Sequence, residues 1–192
     1  MYYRILGGFV MNYSMEIAGI KRDLPLFPIN ESLQIAAFIM FGDTEITVAS
    51  ANELIKKAPE FDVLITAECK GIPLAYEMSR ISGKKYIVAR KKPKLYMSDI
   101  VSVNVNSITT EGMQTLCIGG EEASQMKGKR VLIVDDVIST GESLDALQSL
   151  VEAAGGNIVG KMAVLAEGDA ISRDDIIYLE PLPLFDKNGN VI

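Results

Sequence analysis

Val131 to Ser143 reads VLIVDDVISTGES, and no other stretch of the 192-residue chain restricts the fold so tightly. Four consecutive apolar residues, Val131 to Val134, suit a strand covered on both faces, the usual state of a strand inside a parallel sheet. The run ends in two adjacent acids, Asp135 and Asp136, and Ser139, Thr140, Gly141 and Ser143 follow. Beyond them Leu144, Leu147, Leu150, Val151 and Ala154 recur at helical spacing, and Gly155 and Gly156 supply a stop. The stretch therefore predicts strand, turn and helix, with its polar residues gathered in the turn. It sets the expected fold class as α/β, an open and mostly parallel sheet flanked by helices. Such sheets bind ligands at the carboxyl ends of their strands.

The chemistry of that turn is narrow. A small glycine-containing loop before a helix presents backbone N–H groups in a concavity, and the helix dipole adds positive potential. The hydroxyls of Ser139, Thr140 and Ser143 add donors without bulk. That is a site for a phosphate monoester. Asp135 and Asp136 would repel a phosphate, so they suit sugar hydroxyls or a divalent cation shared with the ligand. A phosphate with vicinal hydroxyls nearby describes a ribose 5-phosphate. VLIVDD alone could also be the acidic strand of a P-loop NTPase, but no G-x-x-x-x-G-K-[ST] occurs, and Gly128-Lys129 is followed by Arg130. The acidic pocket of a receiver domain would normally lie nearer the start of its domain.

VLIVDDVISTGES resembles the phosphoribosyl diphosphate (PRPP) signature of type I phosphoribosyltransferases. The resemblance implies that Asp135 and Asp136 hold the ribose 2- and 3-hydroxyls. It implies that Ile138, Ser139, Thr140, Gly141, Glu142 and Ser143 cradle the 5-phosphate. Two further stretches extend it. Phe61 to Thr66 reads as a buried strand, followed by the turn Ala67-Glu68-Cys69-Lys70-Gly71 and a helix with Ile72, Ala75, Met78 and Ser79 on one side. Lys85 to Ala89 reads as the next strand and runs into Arg90-Lys91-Lys92-Pro93-Lys94, a cluster of cations in an acidic chain that suits a polyanion. ECKG is similar to the diphosphate-binding turn of adenine phosphoribosyltransferases, and VARKKPKLY to their basic segment. On that likeness Glu68, Lys70, Gly71, Arg90, Lys91 and Lys94 form the diphosphate site. A Mg²⁺ is implied, held indirectly by Asp135 and Asp136 through the substrate.

Elsewhere the pattern is less specific. Met1 to Ile29 reads as short strands broken at Gly7-Gly8 and Gly19, and two prolines forbid a helix across Asp23 to Ile29. Asn30 or Ser32 could cap a helix over Leu33 to Met40, and Asp43 or Thr44 another over Glu45 to Ala58. Ile100 to Val105 and Gln114 to Ile118 read as a hairpin. It stands where the family carries a mobile flap, but Asn106 to Gly112 departs from the Ser-x-Glu-Tyr-Gly stretch of the adenine enzymes. Tyr96 and Glu111 are candidates for an assisting group there. Ile158 to Leu165 reads as a buried strand ending at Glu167 and Asp169, and Asp175 to Leu179 as a last short strand. By resemblance, residues 1–45 and the C-terminal segment form a hood over the base, around a core at 60–180 of one domain. Phe27 and Glu167 are then the candidates for the base pocket.

Composition narrows the chemistry. The chain has no histidine, which removes histidine bases, histidine metal ligands and Ser-His or Cys-His nucleophiles together. Its net charge of −6 argues against a broad nucleic-acid surface. Cys69 and Cys117 make no disulfide framework, and no long apolar run or leader pattern is present; both point to a reduced cytoplasmic setting and no membrane association. The resemblance implies phosphoribosyl transfer from PRPP to a purine, adenine first, by a homodimer engaged in purine salvage. A regulator that senses PRPP on the same fold is the alternative, as is an enzyme for xanthine, orotate or uracil.

Overall fold

The structure, a computed structural model, describes residues 11–106 and 113–192. In chain order its elements are β1 (Asn12–Ile17), β2 (Ile20–Pro28), β3 (Leu33–Ala36), α1 (Thr44–Lys57), β4 (Val63–Ala67), α2 (Ile72–Ser82) and β5 (Lys85–Ala89). Then come β6 (Val101–Asn106), β7 (Met113–Ile118), α3 (Gly120–Met126), β8 (Arg130–Ile138), α4 (Glu142–Ala153) and β9 (Asn157–Glu167). A 3₁₀ turn (Gly168–Ser172), β10 (Ile177–Leu182) and β11 (Phe185–Asp186) complete the described chain.

The central sheet has the order β10-β9-β8-β4-β5, and every neighbouring pair in it is parallel. Its middle strands are apolar almost without interruption, because both faces are covered. Leu54 of α1 and Leu74 and Met78 of α2 pack with Leu64, Leu132 and Val164 on one face. Leu144, Leu147 and Leu150 of α4 pack with Ile65, Ile133 and Ala163 on the other. Asp43 caps α1 by accepting the Ile46 N–H at 3.1 Å, with Glu45 in the first turn and Lys56 and Lys57 in the last, each sign matched to the helix dipole. That helix lies where the sequence places it.

A second, antiparallel sheet has the order β1-β2-β3-β11 and packs through Ile17, Leu24, Leu26 and Phe185 into the same apolar cluster as α1. Arg22 of β2 forks onto Asp43 at 2.7 and 2.9 Å and reaches Glu45 at 2.8 Å, so this sheet is tied to the start of α1. The helix expected over Leu33 to Met40 is corrected here. Leu33–Ala36 is a strand, paired with β2 on one side and β11 on the other. Asn30 does gather the N–H groups of Ser32 and Leu33, at 2.9 and 3.0 Å, but it closes a hairpin turn and no helix. Side-chain caps and turns use the same hydrogen bonds, and here two strand partners decide the outcome. The last strand also shifts, from Asp175–Leu179 to Ile177–Leu182. β6 and β7 pair antiparallel as the expected hairpin. Glu111 and most of Asn106 to Gly112 lie outside the described residues, as do Gly7 and Gly8.

Phe185 is buried in the apolar cluster that the second sheet shares with the central one. It is 1% exposed, and its ring lies 4.9 Å from that of Tyr13. Phe185→Ala is expected to cost about 3–5 kcal/mol of stability, read from urea unfolding, the usual penalty for emptying a buried aromatic site.

Candidate functional site

The chain leaves β4 for β5 on one side and leaves β8 for β9 on the other. The turns after β4 and β8 therefore open beside each other at the carboxyl edge of the sheet, where ligands settle in folds of this kind. The β4–β8 pairing runs from Val63↔Val131 to Ile65↔Ile133. Beyond it lies a cavity of about 350 Å³, bordered by Glu68, Lys70, Lys91, Asp135, Asp136, Glu142 and Ser143. Groups from the turns after β4 and β5 thus meet groups 44 to 75 positions later in one cleft.

The acidic pair differs from the sequence expectation in one respect. Asp135 and Asp136 belong to β8 itself, which continues to Ile138, and Asp135 pairs with Ala163 of β9. Neighbouring strands hold the two carboxylates, so a flexible turn does not. Asp136 is buried and ion-paired with Lys70 Nζ at 2.9 Å. Its N–H donates to Asp135 Oδ1, also at 2.9 Å. Burial holds the Asp135 carboxyl well above the usual carboxylate range, and the charge of Asp136 beside it adds to the shift.

Gly71 makes this packing possible. A Cβ there would lie 2.3 Å from Thr66 Oγ1, 2.7 Å from Asp135 Oδ1 and 3.2 Å from Asp135 Cα. Only glycine lets the first residue before α2 rest on β8. Thr66, fully buried, is a participant that sequence reading missed. Its hydroxyl has no hydrogen-bond partner among the described residues, and it faces the same point as Asp135.

The second half of the site is the loop from Ile138 to Ser143, which surrounds a concavity of about 110 Å³. Gly141 stands at the head of α4 with φ +87°, a conformation glycine adopts at little cost, and its carbonyl accepts the Asp145 N–H at 2.8 Å. Burial raises the Glu167 carboxyl, at the end of β9, above its ordinary value, and the nearby Ser139 hydroxyl works against that shift. Glu167 is therefore placed behind the loop's serine. Phe27 lies elsewhere, exposed in β2 and opposite Ile35 of β3, and it borders neither cavity.

The basic segment reaches the cleft through backbone contacts. Arg90 exchanges two 2.8 Å bonds with Cys117 of β7, anchoring the segment to the hairpin. Glu68 accepts the Lys91 N–H at 3.1 Å and lies 3.7 Å from Arg90 Nη1, so it links the turn after β4 to the cations after β5. Lys94 contributes to the electrostatic environment of Cys117 on the same side. Tyr96 is exposed.

Two outcomes follow from this geometry. Gly71→Ala should lower stability by about 1–3 kcal/mol in urea unfolding, since Asp135 and Thr66 must move to admit a methyl group. The sign for Asp135 and Glu167 is the reverse of the common carboxylate case. With raised values they bind more protons folded than unfolded, so stability falls as pH rises through the range above about 4 toward neutrality. Asp62 and Asp175, held well below the usual range by Arg130 and by Arg173 with Lys161, act oppositely and only in stronger acid. Thermal melts should show Asp135→Asn raising the melting temperature at pH 7 and flattening its dependence on pH above the ordinary carboxylate range.

The chain matches the phosphoribosyl transferase domain over residues 43–183. It is 38% identical over 112 residues to the hypoxanthine/guanine phosphoribosyltransferase of Methanococcus voltae, covering 58% of this chain and 56% of that protein. It is 30% identical over 114 residues to the purine biosynthesis transcriptional repressor of Bacillus subtilis, covering 59% and 39%. Against the adenine phosphoribosyltransferase of Thermotoga petrophila it is 34% identical over 178 residues, covering 87% and 91%. The crystal structure of adenine phosphoribosyltransferase from Thermoanaerobacter pseudethanolicus superimposes with a TM-score of 0.65 at 23% identity, covering 89% of this chain and 95% of that one. The chain thus spans little more than half of the Methanococcus protein and well under half of the repressor, but nearly all of the Thermotoga protein. With a matched domain that contains both turns of the cleft, it belongs to the phosphoribosyl transferase domain family.

Proposed function

We propose that this protein transfers the phosphoribosyl group of PRPP to a purine base, with adenine as its first substrate. The observation that carries the proposal is the meeting of two turns at one sheet edge. One follows the acidic pair at the end of β8 and is lined by hydroxyls; the other holds Lys70, and Lys91 of the segment after β5 borders the same cavity. These groups suit a molecule with a 5-phosphate, two ribose hydroxyls and a diphosphate. Relatives named for adenine and for hypoxanthine and guanine support the purine class, and the near-complete overlap with the Thermotoga adenine protein favours adenine.

In this reading the ring nitrogen of the base attacks ribose C1 as diphosphate departs. Positive charge develops on the ribose ring and negative charge on the leaving group. Asp135 and Asp136 accept the ribose 2- and 3-hydroxyls, which fixes the ring and places negative charge beneath the developing oxocarbenium. Backbone N–H groups and hydroxyls of Ile138 to Ser143 hold the 5-phosphate. Lys70, Lys91, Arg90 and Lys94 surround the diphosphate. Lys70 already spans the boundary, since its ammonium sits on Asp136 while half of its side chain faces solvent. It can therefore turn to the diphosphate when the ribose hydroxyls take its place. Glu167 and Phe27 stay proposals for the base side, Glu167 through its contact with Ser139.

The donor set suits a Mg²⁺ shared with the substrate. Among the described residues no three carboxylates or cysteines converge into an all-protein cage, whereas two adjacent carboxylates beside a diphosphate site fit an ion that takes most of its oxygens from substrate and water. When bound, such an ion neutralises the leaving diphosphate. No described helix is long and apolar enough to cross a membrane. A homodimer and a cytoplasmic setting complete the proposed reading.

The repressor relative favours a second reading, in which the same cleft senses PRPP without turnover. One assay separates the two: PRPP- and Mg²⁺-dependent consumption of adenine, hypoxanthine and guanine, with diphosphate release measured. Adenine is expected to be consumed, and joint replacement Asp135→Asn with Asp136→Asn to reduce turnover at least about a hundred-fold. Consumption of hypoxanthine or guanine alone would correct the base. PRPP binding by calorimetry with no base consumed would replace the enzyme by the sensor.

A further inference from the structure

The phosphate loop has a charge problem. Ile138 to Ser143 offers neutral donors, and the first turn of α4 adds two acids, Glu142 and Asp145. A phosphate monoester brings about −1.5 to −2 charges at pH 7. The helix dipole offsets only part of that. None of the basic residues read from the sequence belongs to this loop: Lys70 and Lys91 line the neighbouring cavity.

One cation lies against the loop. Arg173, just beyond the 3₁₀ turn, approaches Gly141 so closely that a Cβ there would sit 2.9 Å from its Nη1 and 4.0 Å from its Cζ. The approach is not accidental in its orientation. Asp175 takes the other edge of the guanidinium, accepting from Nε at 2.9 Å and from Nη2 at 2.8 Å, which leaves Nη1 turned to the loop. Asp175 is itself paired with Lys161 of β9, and Lys161 donates at 2.9 Å to Gln148 of α4. The guanidinium is thus braced against the helix whose head it adjoins. Gly141 meets two demands at once. Its φ of +87° suits glycine or asparagine, and a Cβ there would press on the Arg173 guanidinium.

We propose that Arg173 is the cation of the 5-phosphate subsite, braced by Asp175 and Lys161 and admitted to the loop by the bare Cα of Gly141. The proposal rests on the phosphoribosyl reading above. It assigns the β9–β10 connection a part in substrate recognition, with Arg173 supplying positive potential at the middle of the loop. A rigid fork suits this task better than a lysine, because the guanidinium keeps its orientation while one edge stays available.

The test uses the full chain and calorimetry with two probes, ribose 5-phosphate and inorganic diphosphate. Arg173→Met and Arg173→Gln are expected to weaken ribose 5-phosphate about ten- to a hundred-fold, the loss typical of a charge-assisted contact. Both should leave diphosphate affinity unchanged and make the salt dependence of ribose 5-phosphate binding shallower. Arg173→Lys should restore part of the affinity. Arg173→Gln keeps a donor for Asp175, so it carries the test should Arg173→Met not fold. Unchanged ribose 5-phosphate affinity in either neutral variant overturns the proposal. So does an equal loss for both probes, which would mark a structural role. If the wild-type protein binds neither probe, the phosphoribosyl reading fails first and the inference falls with it.

Discussion

The distance between α2 and β8 governs the rest of the cleft, and one missing side chain sets it. With Gly71 lying on Asp135 and Thr66, the turn after β4 sits low enough for Lys70 to reach Asp136 and for Glu68 to meet the basic segment after β5. A methyl group at residue 71 would overlap atoms of both neighbouring strands. Diphosphate-side and ribose-side groups therefore face one cavity because the backbones of a helix start and a strand end are nearly in contact.

Electrostatics accounts for why this arrangement tolerates its own instability. Two adjacent carboxylates at the end of β8 lose hydration and repel each other, and both effects raise the Asp135 carboxyl. Strands on either side prevent the pair from relaxing apart, since β8 pairs with β4 before the acids and with β9 through them. Lys70 relieves part of the repulsion from a half-exposed side chain. Stability given up at a site of this kind is the ordinary cost of holding charge ready for a ligand.

Most regular elements were legible because their signals are local. VLIVDD gave a buried strand, Leu144 to Ala154 a helix, Asp43 a cap, and Lys85 to Ala89 a strand with the observed limits. Leu33 to Ala36 is a strand and not a helix for a nonlocal reason. Asn30 offers the same side-chain oxygen to a turn as to a helix, and β11, about 150 residues away, supplies the strand partner that decides. The acidic pair was found but placed in the turn, because apolar patterning stops at Val134 while the hydrogen-bonded ladder continues to Ile138. Thr66 and Arg173 carried no readable signal. A threonine in an apolar strand and an arginine in a loop are ordinary, and their roles exist only through Gly71 and Gly141.

By itself the sequence determined which chemistry is available: no histidine, two adjacent acids, a hydroxyl-rich glycine loop and a separate run of cations, each carried by a short stretch whose spacing selects strand, turn or helix. Only the tertiary structure decided which of these groups share a cleft and what stands behind them. Reversal of strand order between β4 and β8 brings the two turns together, and bare glycines let Asp135, Thr66 and Arg173 approach atoms that a side chain would keep apart. Propensity acts over a few residues. Close approach between distant backbones is a property of the packed sheet, so it becomes visible only once the sheet is assembled.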